Sequence, residues 1–224
     1  MEPGKNKILL SSAYLAPVQY YTKLFTYRQV WIEISEYFLK QTYRNRTVIL
    51  TANGSQNLTV PVMEGSNSKK IIRDVTISYD HPWQKLHWKA LTSAYNNAPF
   101  FEYYADSLSP FYHEKRWKYL IDYNHDIQQV VLKELNLNCT SESTTLYLPP
   151  GEISAGTADF RYTIHPKASR QVRDVNFVPE VYMQVFQEKF GFTPNLSILD
   201  LLFNEGPMAV DILRKSSVVL GLGD

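Results

Sequence analysis

The chain has 224 residues, 44% of them hydrophobic and 20% charged, with 23 Lys and Arg against 22 Asp and Glu for a net charge of +1. That is enough apolar mass for one substantial core, too little charge for a disordered chain, and too small a cationic surplus for a protein that binds nucleic acid by displacing phosphate counterions. The single cysteine, Cys139, excludes an internal disulfide, and no segment approaches the roughly 20 apolar residues a bilayer-spanning helix needs.

Residues 7–12 (KILLSS) form an apolar run that predicts a buried strand. Pro17 opens a helix over 17–27, where Tyr20, Tyr21, Leu24 and Phe25 recur at helical spacing. Gln29–Ile34 is rich in β-branched and aromatic residues and predicts a second strand. Strand, helix and strand in this span make a βαβ unit with parallel strands. Thr47–Thr51 and Leu58–Val62 flank Asn53-Gly54 as a hairpin. A polar loop follows over 63–70, then a short strand over Val75–Tyr79.

Asp80 is placed to cap a helix over 82–97, which sets Trp83, His87, Ala90 and Ala94 on one face. Residues 100–116 read as short helices and Asp122–Leu135 as a longer one, with Ile127, Val130, Val131 and Leu135 along one side. Thr144–Leu148 is a further strand candidate inside a Ser, Thr, Pro and Gly-rich stretch, 138–158, that suits a long loop or lid. Tyr182–Phe190 predicts a helix closed by Gly191. Ser197-x-x-Asp200 is a capping signature ahead of ILDLLF, and Gly206-Pro207 breaks that helix and starts another over 207–215. The order favours a single α/β domain over 1–224: a Rossmann-like βαβ start, a mixed sheet flanked by helices, and a helical C-terminal part.

The chain contains no GxGxxG, Walker A, GxSxG or HExxH pattern. None of the histidines, His81, His87, His113, His125 and His165, pairs with another His or Cys at ligand spacing, so neither a metal nor a resident cofactor is expected. Five constellations remain. The turn from Ser11 to Pro17 precedes a helix whose N-terminal amides could attract an anion, or it is an ordinary tight connection. Lys40, Arg44, Asn45 and Arg46 could clamp a phosphate or carboxylate, or form a solvated basic face near Glu33 and Glu36. His87, beside Trp83, is either an acid/base group or a core histidine whose charge burial disfavours. Ser197 and Asp200 are explained by capping alone. Tyr182 and Gln184 alternate, and their spacing singles out neither.

At YLAPVQYYTKLF, KQTYRNR, LTVPV, HPWQKLHWKALTSAYNNAPFF and FGFTPNLSILDLLFNEGP the chain resembles the WbqC-like family, and in particular its Bacteroides-type branch, over about residues 7–213. Tyr14, Lys40, Asn45, Arg46, Trp83, His87, Tyr95, Pro99, Gln184, Ser197 and Asp200 match its pattern, whereas Ser11, Ser12, Ala16, Pro17 and Gln19 depart from it in the first turn. The resemblance implies a bacterial protein associated with O-antigen and other surface-polysaccharide synthesis, where transfer of glycine to a sugar has been suggested for a relative. It therefore implies a cytoplasmic transferase that takes an activated nucleotide or nucleotide-sugar donor and a small anionic molecule or sugar as its ligand. Lys40, Arg44 and Arg46 would hold the donor, with Tyr14, Asn45, Trp83 and Gln184 also lining the site, and His87 would be the general base. The competing expectation is a non-catalytic carbohydrate- or nucleotide-binding or assembly protein. Oligomeric state is left open.

Overall fold

Strand β1, Lys7–Ser11, carries Ile8, Leu9 and Leu10 with no exposed surface. A continuous apolar run of this kind belongs to a strand covered on both faces, and β1 is central. The structure, a computed structural model, describes residues 6–63 and 70–218. Helix α1, Val18–Thr26, leads from β1 to β2, Gln29–Glu33, and the two strands pair in parallel with Lys7 opposite Gln29. On the other side of β1 lies β6, Thr157–Asp159, also parallel, and β5, Ser141–Ser143, pairs in parallel with β2. The sheet order is β5-β2-β1-β6. The hairpin strands β3, Arg46–Thr51, and β4, Gly54–Thr59, form a separate antiparallel pair.

The helices are α2 Trp83–Tyr95, α3 Phe101–Leu108, α4 Pro110–His113, α5 Leu120–Glu134, α6 Gln187–Phe190, α7 Ile198–Glu205 and α8 Ala209–Lys215. The expected α/β architecture with a helical C-terminal part therefore holds. Helix α7 is apolar nearly all round, and Ile198, Leu199, Leu201, Leu202 and Phe203 are fully buried, as befits a helix inside the core.

Four expectations need correction. The hairpin strands turn at Ala52-Asn53 and β4 starts at Gly54, whose φ of 100° an L side chain would resist, so the turn sits one residue earlier than Asn53-Gly54. Val75–Tyr79 makes only isolated bridges, Thr76 to Tyr119 and Ile77 to Val62. Thr144–Leu148 is not a strand: pairing with β2 ends at Ser143, and the Thr144 hydroxyl then donates to Glu33 Oε1 at 2.7 Å. The helix expected over Tyr182–Phe190 shrinks to α6; Tyr182 and Gln184 lie outside it and direct their side chains to Asp200. Most of the 63–70 loop lies outside the described residues.

Candidate functional site

In open parallel sheets the strands deliver their side chains and loops to the carboxyl edge, where ligands bind. Here that edge carries Ser11, Glu33, Ser143 and Asp159, the last residues of the four strands. Beneath it runs a buried ionic network. Arg44 donates from Nε to Glu36 Oε1 at 2.8 Å and from Nη2 to Glu36 Oε2 at 2.6 Å and Ser11 Oγ at 2.7 Å. Ser11 Oγ in turn donates to the Arg161 carbonyl. Arg161 pairs with Asp159 at 2.8 Å and with Glu33 at 3.2 Å. Glu33 also accepts from the Ser35 and Leu148 amides and from the Thr144 hydroxyl. Such a network ties residues 33–36, 44, 144–148 and 159–161 into one floor, because each buried charge needs its partners in place.

A cleft of about 490 Å³ is bounded by the first turn, by β2, by β5 and by α5. Ser12 and Ser143 contribute hydroxyls, Asn124 and Gln128 amides, Asp122 and Asp126 carboxylates, and His125 an imidazole, while Tyr20, Ile32, Ile34 and Ile121 supply apolar surface. Among the described residues no Lys or Arg lines it. Asn124 donates through Nδ2 to Ser12 Oγ at 2.9 Å and to the Arg44 carbonyl at 2.8 Å. Its carbonyl oxygen is buried with no hydrogen-bond partner among the described residues.

The residues singled out from the sequence fall into separate groups. Tyr14, Trp83 and His87 share one buried aromatic cluster: the Tyr14 hydroxyl lies 3.1 Å from His87 Nδ1 and 3.1 Å from the Tyr112 hydroxyl, and Trp83 packs edge-on against His87. Burial pushes the His87 pKa down to about 4, partly offset by a backbone hydrogen bond with Thr59, so the ring is neutral at pH 7. Burial, then the neighbouring Tyr112 and Tyr123, pushes Tyr14 well above the usual phenol range. Arg46 reaches the same Thr59, donating from Nε to its hydroxyl at 3.3 Å. Asn45 donates to the Val60 carbonyl at 2.8 Å. Arg44 points the other way, into the ionic floor. Lys40 is exposed on the segment that follows β2. Gln184 belongs to a distant node, where Asp200 accepts from Tyr95 at 3.0 Å, Tyr182 at 2.7 Å and Gln184 at 2.8 Å. None of His87, Lys40, Arg46 and Gln184 lines the cleft.

The first turn does not offer α1 amides to an anion. Val18 N–H donates to the Leu196 carbonyl, Gln19 N–H to Asn195 Oδ1, and Tyr20 and Tyr21 N–H to the Pro17 carbonyl. All the donors of that helix start are used within the fold. Ser197 does cap α7, its Oγ accepting from Leu199 N–H, but Asp200 turns away from the cap into its own buried node.

The cleft residues on α5 were absent from the sequence candidates. The signal was present: Asn124 and Gln128 are four apart on the inward face of a helix, where apolar residues are expected.

Fold and edge together define an α/β protein with a ligand-sized cleft at the carboxyl ends of a parallel sheet. Comparison of the sequence with family profiles matches the WbqC-like protein family over residues 12–160, and the chain belongs to that family. That span carries the cleft and most of the ionic floor, with Arg161 immediately beyond it. The chain is also 31% identical over 194 residues to the uncharacterized protein Rv1507c of Mycobacterium tuberculosis, covering 79% of this chain and 84% of that protein. No solved structure matches. No described helix is long and apolar enough to cross a membrane.

Proposed function

We propose that the chain is a group-transfer enzyme of bacterial surface-polysaccharide synthesis and that its sugar acceptor binds in the cleft above the sheet. The observation that carries this reading is the lining of the cleft, where hydroxyls, amides, carboxylates and an imidazole stand beside apolar surface and, among the described residues, no cation is present. A polyhydroxylated ring supplies the donors such a wall accepts, and its carbon faces suit Tyr20, Ile32 and Ile121. Asp122 and Asp126, without any lining cation, disfavour an anion in this cleft and favour a neutral sugar or an amino sugar. His125 is the imidazole that lines the cleft, and it takes the role of base that sequence matching gave to His87. The acceptor's O–H or N–H proton passes to His125 as its oxygen or nitrogen attacks the acyl carbon of an activated aminoacyl donor, whose leaving group departs with the bonding electrons.

The test is calorimetric titration of the full chain with neutral and amino sugars, repeated on Asn124→Ala. Saturable binding that weakens about tenfold or more in Asn124→Ala is the expected result, the cost of one well-made buried hydrogen bond. Binding untouched by the substitution, or no saturation with any sugar, overturns the assignment. Where sugar binds, an aminoacylation assay with His125→Ala separates an enzyme from a carbohydrate-binding protein.

A further inference from the structure

A second hollow, of about 470 Å³, opens on the segment that continues from β2, bounded by Ser35, Glu36, Phe38, Leu39, Tyr147 and Tyr162. It shares no lining residue with the sugar cleft. Its volume falls in the range of small-molecule sites, roughly 300–1,000 Å³. Tyr147 and Tyr162 are each about 40% exposed, so part of each ring is open to a ligand.

The two rings are held from beneath. The Arg161 guanidinium lies 5.4 Å from the Tyr147 ring centre and 5.6 Å from that of Tyr162, and Arg44 lies 5.7 Å from Tyr162. Both cations are fixed by Glu33, Glu36 and Asp159, and the Tyr162 hydroxyl donates to Glu36 Oε2 at 3.3 Å. A cation against one face of a phenol draws π density toward it and leaves the outer face better suited to stacking an electron-rich flat ring. At the rim, Arg73 donates from Nη1 to Ser35 Oγ at 3.3 Å, and Lys70 accepts the Phe38 amide on its carbonyl. Two part-exposed phenol rings backed by fixed cations, with Arg73 bonded to the lining residue Ser35, match a flat heteroaromatic ring that carries a phosphate.

From this arrangement we infer that the Tyr147–Tyr162 groove binds a nucleotide, with the base stacked on the two tyrosines and the phosphate toward Arg73. The inference goes beyond the acceptor reading and does not depend on it.

The experiment titrates the full chain with AMP, GMP, CMP and UMP, and with the corresponding nucleosides, by calorimetry and saturation-transfer NMR. At least one nucleotide is expected to bind saturably. Tyr147→Ala should weaken that binding about tenfold or more, the usual loss of one stacking partner, while Tyr147→Phe retains it. Arg73→Ala should weaken the nucleotide and leave its nucleoside unchanged. Tyr147 is exposed, so thermal melting of Tyr147→Ala near the parent value confirms that its fold is kept. Absence of saturable binding by all four nucleotides, or affinity unchanged in Tyr147→Ala, overturns the proposal. Asn124→Ala serves as the control, expected to lose sugar and keep nucleotide, so that failure of one site is distinguishable from failure of the other.

Discussion

Arg44 clasps Glu36 through two parallel hydrogen bonds, of 2.8 and 2.6 Å, with both side chains almost wholly out of water. Removing either partner strands the other charge in a buried site. Glu36→Ala or Arg44→Ala should each cost about 3–5 kcal/mol in urea unfolding. The double replacement Glu36→Met with Arg44→Met should lose clearly less than the two alanine variants summed, because it leaves no charge behind.

His87 should make stability depend on pH in a definite direction. Its folded pKa of about 4 lies below the ordinary 6.5, so between these values the unfolded chain holds a proton the folded chain lacks. The stability tied to its neutral form is complete above about pH 6.5 and is lost as the solution is acidified toward pH 4, by up to about 3 kcal/mol. His87→Gln, measured against the parent from pH 7 to pH 4 by chemical unfolding, should remove that slope.

Asp200 should act in the opposite sense. Burial raises its pKa above 3.8, against the lowering effect of hydrogen bonds from Tyr182, Gln184 and Tyr95. The folded state therefore binds the proton more tightly than the unfolded chain. The contribution of the protonated acid is greatest below about pH 3.8 and falls away as pH rises through the elevated folded value. Asp200→Asn should flatten this trend. Asp200→Ala, which strips three donors of their acceptor, should cost on the order of 3 kcal/mol or more at pH 7.

Gly206 should not tolerate a side chain. Its φ is 53°, and an added Cβ would lie 2.6 Å from the Phe100 ring. Gly206→Ala should lower stability by about 1–3 kcal/mol. Adding Phe100→Leu should recover part of the steric share and none of the backbone share, a difference that thermal melting of the two variants can read.

The elements legible in the sequence were those built from local signals. The βαβ start rests on an apolar run and a helical repeat of Tyr20, Tyr21 and Leu24, and the Ser197 cap on its own hydroxyl. Strands β5 and β6 have sequences SES and TAD, with no apolar alternation. They are strands because the exposed edges of β2 and β1 offer backbone partners, a condition no local window contains. The same holds for the site. Pairing of Arg44 with Glu36 depends on the chain between them folding back, and Asp200 carries a spacing that a capping box and a buried acceptor share. Helix α5 is legible from its apolar stripe, whereas the place of Asn124 and His125 beside a cleft depends on what the helix packs against.

Completion of the sheet has a temporal consequence. The Ser11 hydroxyl donates to the Arg161 carbonyl across 150 positions of chain, and β6 closes on β1 only when that distant stretch arrives. Contacts this remote are slow to form, since the loop entropy is lost before the pairing rewards it. During synthesis the N-terminal βαβ unit must wait with the free edge of β1 bare until Thr157–Asp159 has left the ribosome. The cleft can take shape once Ser143 has been made, whereas the groove beside Tyr147 must wait for Tyr162, so the two hollows at the carboxyl edge arise in sequence.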